Sequence, residues 1–89
     1  MLEGRVGDEL RNVFEHVFGR LIPDLTRETT PAQLDGWDSL RHAGLIIAIE
    51  DHFSIEYPEK KYFDFKNVGD IADVVFGIVN HERSRSQPS

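Results

Sequence analysis

The chain has no cysteine, no apolar run long enough to cross a bilayer, and no apolar stretch after its first methionine. The first absence removes disulfides and thiolate zinc sites as sources of stability. The other two argue against a membrane span and a signal peptide, so the expectation is a cytoplasmic protein without a membrane partner. Repeats and extended low-complexity segments are missing as well. Positive charge is scarce: ten Lys and Arg against sixteen Asp and Glu give a formal net charge of −6. That balance disfavours nucleic acid, whose binding rests on phosphate neutralisation, and favours proteins with basic patches. What remains is 89 residues, 39% of them hydrophobic. This is enough for one modest packed core and too apolar for a disordered chain.

Apolar positions Leu10, Val13, Phe14, Val17, Phe18, Leu21 and Ile22 recur at spacings of three and four. They predict an amphipathic helix over residues 8–22, capped by Asp8 and stopped ahead of Pro23. The pattern then fails across residues 23–37, where threonines, Pro31 and Gly36 form turns and only Leu25, Leu34 and Trp37 can anchor the chain. A loop of that length in so small a domain points to function. A short helical turn near residues 31–34 fits inside it.

A second helix is predicted over residues 39–52, with Leu45, Ile46, Ile49 and Phe53 facing the core. Leu40, Ala43 and Ile47 form a second apolar stripe, which has two readings: core beneath a weak third helix, or a docking face beside acidic Glu50 and Asp51. The third helix would lie within residues 59–65, with Phe63 and Phe65 pointing inward. A last helix starts at Asn67, with Asp70 three residues on in a variant of the capping box. It continues to about residue 81 through Val68, Ile71, Ala72, Val75, Ile78 and Val79. The expected organisation is a lead-in at 1–7, a domain at 8–81 and a flexible polar tail at 82–89.

The long loop delivers Leu34-Asp35-Gly36-Trp37-Asp38-Ser39-Leu40 to the second helix. Gly36 suits a turn and Asp38 suits an N-cap. Ser39 then falls in the first helical turn, at the positive end of the dipole, where a phosphate attached to its hydroxyl is favoured.

Asp38-Ser39-Leu40, the long apolar helix running to Glu50-Asp51-His52-Phe53-Ser54-Ile55, and Val68-Gly69-Asp70-Ile71 resemble the acyl carrier protein family across roughly residues 8–81. The resemblance implies an all-α four-helix bundle with a long first loop and a short third helix. It also implies a stand-alone, non-catalytic carrier. Ser39 would be esterified by a phosphopantetheinyl transferase with the 4′-phosphopantetheine of coenzyme A, and the arm would hold acyl or aminoacyl groups as thioesters. A cysteine-free chain needs that borrowed thiol. By the same resemblance Asp38 assists the Mg2+-dependent transfer, no metal is intrinsic, and Leu40 packs beside the serine. Loading and transferring enzymes with basic patches would dock on Leu40, Ala43, Ile47, Glu50 and Asp51. A monomer is the default for such carriers. Trp37 and Gly44 depart from housekeeping fatty-acid carriers and lean towards polyketide, nonribosomal peptide or related pathways. Arg41 and His42 make the helix start more basic than is usual there.

Simpler readings stand beside these. A serine at a helix start is often only a serine that suits the position. An unmodified interaction module binding through its second helix is the alternative from another class. Ser39 and His42, three apart, share a face as a nucleophile and base would, but no orienting group or oxyanion site accompanies them. His16, His42, His52 and His81 have no metal-ligand spacing, and surface or capping roles suffice. Tyr57, Tyr62, Phe63 and Phe65 read as core and loop anchors.

Overall fold

A computed structural model describes the backbone of residues 4–86 and the side-chain surroundings of residues 4–81. Three α-helices and one 3₁₀ turn account for its regular structure: α1 (Gly4–Phe18), α2 (Ser39–Phe53), the turn Glu59–Lys61, and α3 (Val68–Ser86). Among the described residues there is no strand, and no helix is long and apolar enough to cross a membrane. The short third helix expected over residues 59–65 is this single 3₁₀ turn. Residues 1–3 of the expected lead-in and 87–89 of the expected tail lie outside the described residues.

α1 is displaced from its predicted bounds at both ends. It begins at Gly4, so Asp8 lies inside the helix and caps nothing. It ends at Phe18 because Gly19 takes a left-handed conformation (φ 70°). The N–H groups of Gly19 and Arg20 then donate to the Glu15 carbonyl at 2.9 and 3.2 Å, a glycine-terminated helix end. Leu21, expected in the core, is 79% exposed. Ile22 is buried, but as a loop residue rather than a helical one. α3 continues to Ser86 where the apolar pattern alone ended it near residue 81.

The core is one cluster. It joins Leu10, Val13, Phe14 and Phe18 of α1 to Leu45, Ile46 and Ile49 of α2 and to Val68, Ile71, Ala72 and Val75 of α3. Ile78 and Val79, at the far end of the α3 stripe, are only half-buried. Ile22, Leu25, Leu34, Trp37 and Tyr57 complete the cluster from outside the helices. The long loop is therefore part of the core rather than draped over it.

Three arginines hold that loop, Arg20 among them through a 2.8 Å bond from its guanidinium to the Asp35 carbonyl. Arg11 of α1 donates to the carbonyls of Ile22 (2.8 Å) and Leu25 (3.0 Å), while Glu15 accepts from the Ile22 N–H at 2.9 Å. Residues 30–33 form a turn, with Gln33 N–H donating to the Thr30 carbonyl, rather than a helix. Further along, the carbonyls of Arg27 and Thr29 accept from the N–H groups of Gly69 (2.8 Å) and Val68 (2.9 Å). These are donors in the first turn of α3 that lack partners within the helix. One nitrogen of the Arg27 guanidinium, Nη2, also donates to both carboxylate oxygens of Asp73, at 2.9 and 3.0 Å. The α3 cap is as the sequence indicates: Asn67 Oδ1 accepts from Asp70 N–H at 3.0 Å. Asp70 reaches back one residue further, to the Lys66 N–H at 2.7 Å.

Gly69 packs tightly into this seam. A Cβ there would sit 3.1 Å from both the Arg27 carbonyl oxygen and the Arg27 Cβ. Alanine normally favours a helix interior over glycine by about 1 kcal/mol. Here the obstructing atom is the backbone carbonyl that accepts the Gly69 hydrogen bond, so the loop must shift to make room. Gly69→Ala is expected to lower stability by about 1–2 kcal/mol net, as overpacking does. Urea unfolding measures this, and an increase in stability would contradict the account.

Candidate functional site

Ser39 is the first residue of α2 and is solvent-exposed. Gly36 turns the chain into it with φ 88°. Asp38 is the N-cap in extended conformation, its Oδ1 accepting from Arg41 N–H at 2.8 Å and its carbonyl accepting from His42 N–H at 2.8 Å. The motif Asp38-Ser39-Leu40 is thus the capped start of a helix, with the serine hydroxyl outside the bundle. A negative group on that hydroxyl would meet the positive end of the helix dipole.

Beneath the serine lies a layer of rings. His42, one turn on from Ser39, is only 2% exposed. Trp37 Nε1–H donates to His42 Nδ1 at 3.1 Å. Nδ1 therefore accepts, so the neutral ring carries its proton on Nε2, and that nitrogen donates to the Tyr62 carbonyl. The His42 ring stacks on Phe65 (centroids 4.5 Å, 10° between planes), and Phe65 stacks on Trp37 (5.5 Å, 17°). Phe14 and Phe18 meet Trp37 edge-on at 5.5 and 6.1 Å, a favoured aromatic geometry. One imidazole thus ties the loop before the motif, the helix after it and the segment following the 3₁₀ turn.

This arrangement separates Ser39 from His42 as a catalytic pair. Both ring nitrogens are committed to other partners inside the core, while the serine is outside it. His42 has a structural role rather than the surface or capping role expected of the histidines. Burial pushes its pKa below the ordinary 6.5, and the Tyr62 carbonyl partly offsets the shift. His52 does lie at the surface, with Nε2 3.4 Å from Glu9 on α1. Among the described residues no group of three or more His, Asp or Glu is arranged to hold a metal.

The second apolar stripe is on the surface. Leu40 is 84% exposed, Ile47 63%, and Ala43 and Gly44 between them are exposed too. A Cβ on Gly44 would meet nothing within 4 Å. Phe63, expected inside, is 66% exposed, and only its neighbour Phe65 turns into the ring layer. Asp51 is exposed and continues the stripe. Glu50 does not share this role: it is half-buried, and its Oε2 accepts from the Tyr57 N–H at 2.9 Å, holding the chain where it leaves α2. Arg41 is folded back, donating to the Val17 carbonyl at the end of α1 (2.9 Å) with its guanidinium 5.7 Å from the centre of the Phe18 ring. Its charge serves the negative end of α1 rather than the front of α2.

The solution NMR structure of the holo acyl carrier protein from Geobacter metallireducens matches this architecture with a TM-score of 0.80. It is 36% identical in sequence, and the match covers 91% of this chain and 93% of that one. The chain belongs to the acyl carrier protein family. No family model matches it. Membership supports a carrier role.

The His42 hub went unread in the sequence, although one indication was present. A buried tryptophan N–H needs an acceptor, and His42, one turn into α2, is the polar side chain that supplies it. Protonation would place a second N–H against the indole donor. The unfolded chain binds that proton near pH 6.5 while the folded chain resists it, so the unfolded state holds more protons as the pH drops below that value. The His42 contribution to stability is therefore present in full above pH 6.5 and declines as the pH falls towards the lowered folded pKa. The expected result is a steeper acid-side loss of stability in the unmutated chain than in His42→Asn, read from urea midpoints. Parallel profiles would show that His42 is not what titrates.

Proposed function

We propose that this acyl carrier protein carries acyl or aminoacyl intermediates as thioesters on a 4′-phosphopantetheine arm attached to Ser39, in a specialised biosynthetic pathway. The observation that carries this reading is an exposed hydroxyl at a capped helix start, held above a rigid aromatic layer, in a chain similar to a holo carrier. The residues fit the group. A phosphodiester on Ser39 gains from the helix N-terminus, and Asp38 keeps that terminus in place. The arm supplies the thiol that the cysteine-free sequence lacks.

In the loading step a bond forms between Ser39 Oγ and the pantetheine phosphorus while the pyrophosphate bond of coenzyme A breaks. The serine proton leaves and the nucleotide portion departs. The phosphopantetheinyl transferase and its Mg2+ provide the catalysis. This chain contributes an accessible nucleophile, the Asp38 carboxylate and a fixed helix start. Partner enzymes would dock along Leu40, Ala43 and Ile47, with Asp51 supplying charge for a basic patch. Glu50 adds to the local field while its hydrogen bond serves the fold.

Incubation with coenzyme A, Mg2+ and a broad-specificity transferase should add one phosphopantetheine by intact mass, and Ser39→Ala should abolish the addition with helical content unchanged. An unlabelled protein beside a labelled control carrier would favour the unmodified interaction module instead. Asp38→Ala should cost about 1 kcal/mol of stability through loss of the cap, and it should also slow modification.

For docking, Asp51→Lys is expected to weaken cognate enzyme binding more at low salt than at high salt. Glu50→Gln keeps the acceptor for Tyr57 and so isolates the charge of Glu50. A Kd for the Asp51 and Glu50 variants that matches the unmutated chain across the salt range would remove the electrostatic part of this reading.

A further inference from the structure

We infer that cargo attached at Ser39 stays outside the bundle, that the Trp37–His42–Phe65 stack keeps it there, and that this carrier therefore suits short or polar acyl groups. The inference rests on the proposed attachment at Ser39 and adds a class of cargo to it.

One turn on from Ser39, α2 meets residues 62–65 through His42, and a chain tethered to Ser39 would have to part that seam to reach the ring layer from there. That seam is closed by His42, which is 2% exposed and bonded on one side to Trp37 and on the other to the Tyr62 carbonyl. Opening it leaves the buried indole N–H, or the imidazole, without a partner, a penalty that falls on every guest chain alike. Behind His42 the rings of Phe65, Trp37, Phe14 and Phe18 follow at centroid separations of 5.5 to 6.1 Å, a filled layer. Below them Leu10, Leu45, Ile49, Ile71 and Val75 are fully buried, so a guest chain has to overpack a closed core.

Outside the seam, exposed Leu40 and Phe63 offer contact but no enclosure. A long apolar chain gains little burial there, and each added methylene stays in water. A short or polar cargo loses nothing by the same arrangement. Trp37 and His42 are in this sense positioning residues that set cargo preference without touching the thioester.

The test uses the full chain loaded by the transferase from acetyl-, butyryl- and octanoyl-coenzyme A, with attachment at Ser39 verified by intact mass and the Ser39→Ala control. Methyl NMR and thermal unfolding then compare the three forms. The expected result is the same Tm for all three and unchanged methyl signals for Leu10, Leu45, Ile49 and Ile71. Core signals that move progressively with chain length, together with a rising Tm, would overturn the inference while leaving the carrier reading intact. Failure to load Ser39 would overturn both.

Trp37→Phe keeps an aromatic ring, removes the N–H bond and frees space in the layer. It should acquire the chain-length dependence that the unmutated chain lacks. If that variant folds and still shows no dependence, the stack is not what excludes the cargo. If it does not fold, His42→Gln serves the same comparison under the same criteria.

Discussion

Everything around Ser39 depends on one imidazole that must remain neutral. His42 accepts from Trp37 and donates to the Tyr62 carbonyl, and only the tautomer with its proton on Nε2 does both. A buried polar group is costly when half satisfied and rigid when fully satisfied. Here satisfaction is complete: among the described residues no buried side-chain nitrogen or oxygen lacks a partner. Because three separate parts of the chain meet at this ring, the position of the first turn of α2 is fixed from below. The upper surface of that turn is left with no structural task.

The same division of labour recurs residue by residue. Asp38 caps, Arg41 reaches back to α1 and His42 locks the core, while Ser39, Leu40, Ala43 and Gly44 face water. A three- and four-residue spacing makes this separation available to any helix. Here one side of the first turn does all the holding and the other all the presenting. The loop ahead of the motif is ordered on the same logic. Arg11 grips its first half, the Arg27–Gly69 seam its middle, and Arg20 the Asp35 carbonyl just ahead of Gly36, which hands the chain to α2 from a fixed point.

How much of this was legible in the sequence follows from the physics of each element. The cores of α2 and α3 were readable because three- and four-residue spacing survives in any helix that packs on one face, and the Asn67 cap was readable because its chemistry is local. The ends of α1 were not. Leu21 and Ile22 continue the apolar spacing past a glycine whose left-handed conformation stops the helix first, and Pro23 offered a plausible but later stop. Phe63 and Phe65 look alike in sequence, yet only Phe65 finds a ring layer to enter, a fact set by partners distant in the chain. The exposed stripe on α2 could be recognised but not assigned, because an apolar face seeks either core or partner and only the packed structure shows that it stays uncovered. His42 was the deepest gap: the four histidines look alike until Trp37 is known to be buried with an N–H that needs an acceptor, and that burial is set by the packing.

Glu50 shows why the split between holding and presenting matters for reading acidic carriers. A count of acids on α2 treats Glu50 and Asp51 as equivalent charges one residue apart. The fold makes them different, because one carboxylate receives the Tyr57 N–H and the other is in open solvent. A partner that pulled Glu50 into an ion pair would have to compete with a hydrogen bond that holds the exit from α2 in place, whereas pairing with Asp51 costs the fold nothing. Charge in solvent is also the kind that salt screens and that steers encounters rather than holding complexes. In the docking proposed for this carrier, the hydrophobic row of Leu40, Ala43 and Ile47 would therefore supply the lasting contact. Affinity for partners would then depend chiefly on how well an enzyme covers a shallow apolar strip beside Ser39, with the acidic surface setting how quickly the two meet.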